Sequence, residues 1–546
     1  MRIFALAALT AIATAHAAPL LAQARSLTGA RRPGIDVLQY AFDVDLPSGP
    51  MPDTVRFVAT TIARRAGGTA SLALDLVSTM HVGQVEVNGR AAAFTRPGDQ
   101  VVVALPPESG DSIRVSVRYR GIPADGLIIR SDSAGGWTAF GDNFPDRARQ
   151  WLAVVDHPSD KALVEWTVHH PGRYRVIANG ELLEETPSPG ATDRIVTRWK
   201  STRPLYTSVM VIGVARFGVF ELGDTACSLA ERPGCVPQSV WITPDVRDYM
   251  PGPFAKAGQI VALYSRLVGP FPYEKLAHVQ STTRYGGMEN ASAIFYADAI
   301  YRQRNMSEGL IAHEAAHQWF GDAVTEREWP HVWLSEGFAT YFAALWTEHS
   351  QGDSAFLAEM RRMRETVLTA RITNEKPIVD EGLDNLGRVL NSNVYQKAGF
   401  VLHMLRREVG DSAFYRGVRS YYAKYRHANA MTDDFMREVE AASGTKLDWF
   451  FAQWMRRSGV AAPTISWLWD PRQRSVILTL TQEVGEPYRL DLSADVTDAK
   501  GVVHRVRVNV PAGRVSTMHL PVKLDGAPTR IVFDPDASLL GKLTVK

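Results

Sequence analysis

From residue 35 to residue 243 the chain alternates apolar with polar positions in many short runs. Tyr40, Phe42, Val44 and Leu46 fall on one face of a strand and Asp43 and Asp45 on the other; Ile113, Val115, Val117 and Tyr119 repeat the pattern. A period of two predicts antiparallel sheets, because successive side chains of a strand point to opposite faces. After residue 251 the period lengthens. Ile260, Leu263, Tyr264 and Leu267 share one face of a helix that Gly269 ends, and helical spacing dominates residues 307 to 455, with Gly410 as a stop and Thr432 as a start. Gly459-Val460-Ala461-Ala462-Pro463 reads as a linker. Beyond it Val476, Leu478 and Leu480, then Val506, Val508 and Val510, alternate again. The pattern therefore predicts a multi-domain α+β chain. Its parts are an N-terminal antiparallel β domain over residues 30–245, a mainly helical domain over 246–460 and a small C-terminal β-sandwich over 461–546.

Composition adds compartment rather than fold. Sixty Lys and Arg against 58 Asp and Glu leave the 546 residues near neutral, and no basic tract carries interleaved aromatics, so nucleic acid is not an expected partner. Met1-Arg2 is followed by an apolar run to Ala15, then by the small-x-small sites Ala15-His16-Ala17 and Ala22-Gln23-Ala24. This predicts a signal peptide over residues 1–24 and export to the periplasm or the medium. No Cys follows the run to take a lipid, and no other stretch has the length of an integral membrane segment. Cys227 and Cys235 flank Pro233-Gly234; in an oxidising compartment they are expected to close a small loop, and no His lies near enough to make them a metal site.

The candidate chemistry lies in His313-Glu314-Ala315-Ala316-His317 and in Glu336, eighteen intervening residues later. On a helix, residues four apart sit one above the other, so His313 and His317 aim two imidazoles at one point. Ser307 is a suitable N-cap for that helix, and a second helix is expected to begin near Ser335-Glu336-Gly337. Glu336 stands among Trp333, Leu334 and Phe338, where an unpaired carboxylate is costly. Two His and one Glu on one zinc ion leave a coordination position open, the arrangement of a catalytic site. Glu314 is next to the metal without being a ligand, where a general base belongs.

The segments Ile311-Ala312-His313-Glu314-Ala315-Ala316-His317-Gln318-Trp319-Phe320-Gly321-Asp322 and Trp333-Leu334-Ser335-Glu336-Gly337-Phe338-Ala339 resemble the zinc aminopeptidases related to aminopeptidase N and leukotriene hydrolase. Gly286-Gly287-Met288-Glu289-Asn290 is similar to that family's exopeptidase motif, and Tyr395-Gln396-Lys397-Ala398-Gly399 to its catalytic tyrosine segment. Ala148-Arg149-Gln150-Trp151 and Asp156-His157-Pro158-Ser159-Asp160-Lys161 extend the resemblance into the N-terminal part. The resemblance implies a thermolysin-like catalytic domain between two β domains, one Zn2+ per chain on His313, His317 and Glu336, and Glu314 and Tyr395 as catalytic residues. It implies that residues 286–290 bind substrate, with Glu289 holding the ammonium of a peptide with a free N-terminus.

Some positions depart from the family's pattern. Pro330 and His331 stand where Asn and Asp are usual, and Ser335 where Asn is usual, which bears on the support of the metal ligands; Asp322 and Thr325 are further candidates for that support. Gln396 and Ala398 replace Glu and Gly. Phe144, beside Asp142 and Asn143, occupies the place of a second amine anchor, so an aromatic there is expected to line the pocket for the first side chain instead. Many relatives carry a further helical domain after the sandwich, for which this sequence leaves no room, so a less enclosed site is expected. The activity predicted is that of a zinc aminopeptidase. The alternatives are a zinc endopeptidase, an epoxide hydrolase on the same scaffold, and a catalytically silent peptide-binding module.

Overall fold

The computed structural model describes residues 32–49, 51, 53–131, 136–190, 193–225, 236–249 and 252–546. The predicted signal peptide and the Cys227–Cys235 pairing lie outside the described residues.

The alternating N-terminal runs form a nine-stranded sheet. Its order is Glu181–Pro187, Arg194–Lys200, Lys161–Pro171, Ile35–Asp45, Val55–Arg65, Ser112–Gly121, His81–Val87 and Arg90–Ala91, with Leu205–Tyr206 beside the third strand. The inward set Tyr40, Phe42, Val44, Ile113, Val115, Val117 and Tyr119 is buried as the alternation predicts. One pairing departs from the antiparallel expectation: Ile35–Asp45 runs parallel to Lys161–Pro171. The alternation specifies a half-buried strand and is silent on the direction of its neighbour. Beneath this face Phe42 meets Trp166 at 4.8 Å and Trp166 stacks on Trp151 at 5.7 Å.

The next sheet was not visible in the pattern. Gly218–Thr225, Val236–Ile242, Leu276–Ser281, Ala293–Ala297 and Gly287–Met288 form a five-stranded mixed sheet, in that order, and it crosses the boundary placed at 245/246. The central strand Leu276–Ser281 is buried at every residue and pairs in parallel with both neighbours. A strand covered on both faces has no alternation to read. Gly287–Met288 forms one edge of this sheet, antiparallel to Ala293–Ala297.

Against the sheet pack the helices that carry the two metal-ligand motifs. Ser307 caps Glu308–His317 by accepting from Leu310 N at 3.1 Å, as expected. Trp333–Gln351 follows, and beside it a single π-helical turn, Asn393–Lys397, continues into Ala398–Val409. The helix Ala257–Leu267 braces both motif helices, its Tyr264 Oη lying 3.0 Å from Ala312 O and 2.9 Å from Phe342 O.

Two sheets make up the C-terminal part. One contains Val515–His519, Ser475–Thr481, Thr464–Asp470 and Thr544–Val545; the other contains Val503–Val510, Leu490–Thr497 and Arg530–Phe533. Arg364 pairs with the buried Asp534, and Arg407 with Asp536 at 2.7 Å, tying this part to the helices. On the other side Lys161, at the start of its strand, reaches Asp322 O at 2.8 Å, Ala323 O at 3.0 Å and Thr325 Oγ1 at 2.9 Å. The N-terminal domain thus grips the loop that follows His317. No helix among the described residues is long and apolar enough to cross a membrane.

Candidate active site

One helical turn brings His313 Nε2 to 3.1 Å from His317 Nε2, and Glu336 Oε2 from the facing helix lies 3.4 Å from the first and 3.3 Å from the second. Ligands about 2.0–2.1 Å from a tetrahedral zinc stand roughly 3.3 Å apart, so the triangle has the size the ion requires. Glu336 Oε2 is buried and has no hydrogen-bond partner. Electrostatics ask for the same occupant. Burial alone raises the Glu336 carboxyl, yet His317 and His313 draw it down to about 2. Burial opposes a charge on His317, but Glu289 and Glu336 hold its imidazolium well above the usual range. Glu289, Glu336 and Glu314 all act on His317 from close by, so the pocket is arranged to hold positive charge. The three predicted ligands therefore fit a divalent metal.

The support of the metal ligands differs from expectation in its details. His317 Nδ1 lies 3.1 Å from Phe320 O and 2.9 Å from Ser335 Oγ, so the serine that departs from the family's pattern does orient a ligand. A side chain on Gly321 would sit 2.2 Å from Ser335 Oγ, and the glycine's φ of 113° suits that residue alone. The side chains of Asp322 and Thr325 are spent elsewhere, although Asp322 N donates to His317 O at 3.0 Å. Asp322 Oδ2 accepts from Gln318 Nε2 at 2.9 Å, and Thr325 Oγ1 donates to Gly321 O at 2.6 Å. His331 turns away to Thr432 Oγ1, 2.7 Å distant.

The site opens into a cleft of about 260 Å³. Gly286, Gly287, Met288 and Glu289 line it together with His313, Glu314, His317, Glu336 and Tyr395. Glu314 is buried, and burial holds its carboxyl well above the ordinary value; the same cause raises Glu289. One ligand atom each of Glu289, Glu314 and His317 lies within 4.8 Å of the others. Gly287 is required by Glu314: a β carbon on it would stand 2.2 Å from Glu314 Oε1. Gly286 is under no such pressure, its nearest neighbour being Ile300 Cδ1 at 3.9 Å.

Asn290, expected among the substrate-binding residues, does not line the cleft. It is fully buried, with Oδ1 and Nδ2 both unpartnered among the described residues. The edge strand turns inward after Glu289, and Gln318 fastens that turn: its Nε2 donates to Glu289 O at 2.8 Å while its Oε1 accepts from Ser292 N at 2.8 Å. Gln318 directly follows His317, which is the only signal the sequence offered for this role.

Tyr395 enters the cleft on the π-helical turn, a local widening often found where a helix serves a site. Its phenol donates to Glu336 Oε1 at 2.7 Å, and its ring lies 6.0 Å from that of His313 at 14°. Phe144 also lines the cleft, with its edge to Tyr285 and to Trp329. Its neighbours are committed elsewhere. Asp142 accepts from Arg147 Nη2 at 2.8 Å, and Asn143 Nδ2 donates to Met210 O at 2.7 Å. Tyr285, Leu310 and Leu390 complete the apolar wall and were not identified from the sequence.

Residues 256–454 match the Peptidase family M1 domain. The human glutamyl aminopeptidase is 25% identical over 472 residues, covering 77% of this chain and 48% of its own length. Aminopeptidase N of Streptomyces lividans is 25% identical over 463 residues, covering 78% and 51%. The chain thus spans about half the length of these curated relatives. The M1 zinc metallopeptidase of Deinococcus radiodurans shares the fold, with a TM-score of 0.66 at 24% identity over 78% of this chain and 94% of that one. The His313–His317–Glu336 triangle lies inside the segment that matches the Peptidase family M1 domain.

Proposed function

We propose that this protein is a zinc aminopeptidase that removes residues from the free N-terminus of peptides. The observation that carries the reading is Glu289, a buried carboxylate lining the cleft beside the His313–His317–Glu336 triangle, with no Lys or Arg paired to it among the described residues. A substrate ammonium supplies the missing partner and sets the cut one residue from the end.

The residues divide the work as follows. His313, His317 and Glu336 hold zinc, which supplies a Lewis acid for the scissile carbonyl and lowers the pKa of water. Glu314, kept basic enough by its buried setting, takes the proton from the attacking water and returns it to the leaving amine. Gly287–Met288 is a sheet edge, so an extended peptide pairs along it and reaches Glu314 in register. Tyr395 donates its phenol proton to the carbonyl oxygen as charge develops there. The names of the relatives agree with this assignment, and a mutant of the Deinococcus metallopeptidase has been crystallised with a Tyr-Ser-Ala substrate. An endopeptidase has no use for Glu289, nothing in the cleft selects a lipid epoxide, and a silent binding module needs no base. We further propose that residues 1–24 direct export, on the strength of the basic start, apolar run and small-x-small sites; N-terminal sequencing of the mature protein tests this.

Product mass spectrometry on paired free and N-acetylated peptides tests the activity. Sequential loss of N-terminal residues from the free peptide alone is expected, and Glu289→Ala is expected to lose that trimming while keeping zinc. Equal cleavage of both peptides, or internal fragments, would leave a zinc endopeptidase in its place.

A further inference from the structure

The π-helical turn Asn393–Lys397, which carries Tyr395, lies against the helix Trp333–Gln351, which carries Glu336. The two meet where neither has a large side chain. Gly337 directly follows Glu336, and the fully buried Ala398 opens the helix that continues the turn. A β carbon on Gly337 would stand 2.6 Å from Ala398 Cβ, 3.3 Å from Val394 O and 3.3 Å from Trp333 Cε3, where ordinary contact begins near 3.4 Å. Beside this point a β carbon on Gly399 would meet Thr340 Cγ2 at 3.2 Å. The space between Gly337 and the turn therefore takes one methyl group, that of Ala398. The rest of the turn is tied down. Asn393, 1% exposed, donates from Nδ2 to Lys376 O at 2.9 Å and to Ile372 O at 3.2 Å, and its Oδ1 accepts from Thr373 Oγ1 at 3.3 Å. Lys397, buried entirely, directs Nζ to Arg457 O, 3.5 Å away. Asn393 and Lys397 hold the two ends of the turn, so the contact at Gly337 decides how near its middle comes to Glu336. There Tyr395 Oη donates to Glu336 Oε1 at 2.7 Å.

We propose that Gly337 and Ala398 are a positioning pair for Tyr395: the single methyl between them sets how far the phenol stands from Glu336 and from the carbonyl oxygen of a bound peptide. This role rests on the aminopeptidase reading and deepens it. A donor serves a developing oxyanion only within a window of about 2.7–3.1 Å. Two methyls at the contact would have to part from 2.6 Å to ordinary packing distance, because a close-packed interior has no slack to absorb them. That moves the turn by about an ångström and takes the phenol out of its window. Neither residue touches substrate or metal, so both act through Tyr395. Ala398 stands where the family's pattern has Gly, so the methyl and the spacing it sets belong to this chain.

The test is kcat and KM of the zinc-loaded full chain on Leu-Ala, with denaturant unfolding of the zinc-free chain alongside. Gly337→Ala is expected to lower kcat at least about 10-fold with KM and zinc content little changed, since a misplacement of about an ångström can cost roughly 100-fold. Gly337→Ala combined with Ala398→Gly returns one methyl to the contact. It is expected to restore both the unfolding midpoint and kcat, the latter to within about 3-fold of the wild type. In a Tyr395→Phe background, Gly337→Ala is expected to change kcat by less than about 2-fold, because a residue that acts through the phenol has nothing to act on once the phenol is gone. Wild-type kcat in Gly337→Ala overturns the proposal. So does a loss of full size in the Tyr395→Phe background, or a double variant that regains stability without regaining kcat; in each case the aminopeptidase stands. A wild-type chain that releases no N-terminal residue removes the activity itself, and the positioning role with it. Should Gly337→Ala fail to fold, Ala398→Val presses the same contact from the other side and takes its place in every comparison.

Discussion

Gly287 Cα leaves no room for a side chain beside Glu314. A β carbon there would sit 2.2 Å from Glu314 Oε1 and 2.3 Å from Cδ, inside van der Waals contact. The motif glycine and the Glu314 carboxylate are thus two halves of one steric arrangement: the sheet edge passes this close to Glu314 only because it has no side chain there. Gly287→Ala is expected to push the carboxylate by about an ångström, and a displacement of that size costs roughly 100-fold in rate. Zinc content should be unchanged, because Gly287 touches no ligand. A fully active alanine variant, assayed beside elemental analysis, would separate the two residues.

Glu314→Gln keeps the shape and removes the base. Zinc is expected to remain, since the ligands are His313, His317 and Glu336, while kcat falls by roughly 100- to 10,000-fold. Turnover within a few-fold of the wild type at full metal occupancy would assign the base to another group.

Ser335 orients His317, so its hydroxyl acts on the metal at one remove. Ser335→Ala leaves Phe320 O as the sole partner of Nδ1, 3.1 Å away. Zinc affinity by chelator competition is expected to fall about 10-fold, the lower end of the effect of losing such a partner. Serine restored as threonine should recover part of it. Affinity equal to the wild type would mean that the hydroxyl merely packs against Gly321.

The His313–His317–Glu336 cluster was legible because helical spacing and one buried carboxylate determine it locally: the i,i+4 pair needs one helix, and Glu336 needs only the facing one. The half-buried strands were legible for a similar reason, each carrying its own record of inside and outside. Leu276–Ser281 had no such record, being buried on both faces, and so the sheet whose edge lines the cleft was missed. Asn290 was misplaced by contiguity. It follows Glu289 in sequence, but the chain turns at Ser292, whose φ is 65°, and Asn290 goes into the core. The apolar wall of the cleft comes from segments as far apart as Phe144 and Leu390, and no local pattern joins them.

His403 gives the fold a response to acid. Its ring lies within 6.1 Å of those of Tyr341, Phe356 and Phe400, both nitrogens lack partners, and burial pushes it down to about 3. Unfolded, the same group titrates near 6.5. Between those values the unfolded state binds the extra proton, so stability is lost as pH falls from about 6.5 toward 3. His403→Leu removes that proton. Relative to the wild type it should gain about 2 kcal/mol more at pH 5 than at pH 7.5, as read by denaturant unfolding. A difference independent of pH would show that His403 is already neutral in the unfolded chain or charged in the folded one.

Tyr395 presents two possible roles that one variant can separate. Its phenol donates to Glu336 Oε1 at 2.7 Å, leaving Oε2 for the metal, so it orients a ligand; it also stands in the cleft where the carbonyl oxygen of a bound peptide would gather charge. Burial and then Glu336 keep the phenol protonated, so it is a donor throughout the working range. Tyr395→Phe removes the proton and keeps the ring against His313. If donation to the developing oxyanion is the larger effect, kcat falls at least about 10-fold while KM and zinc affinity hold, because that bond exists only in the transition state. If orientation of Glu336 is the larger effect, zinc affinity falls and excess zinc restores kcat. Chelator competition and saturating-zinc kinetics on the same preparation distinguish the two. The first outcome is expected, because Glu336 Oε2, which faces both imidazoles, would still be held by the metal when its other oxygen loses the phenol.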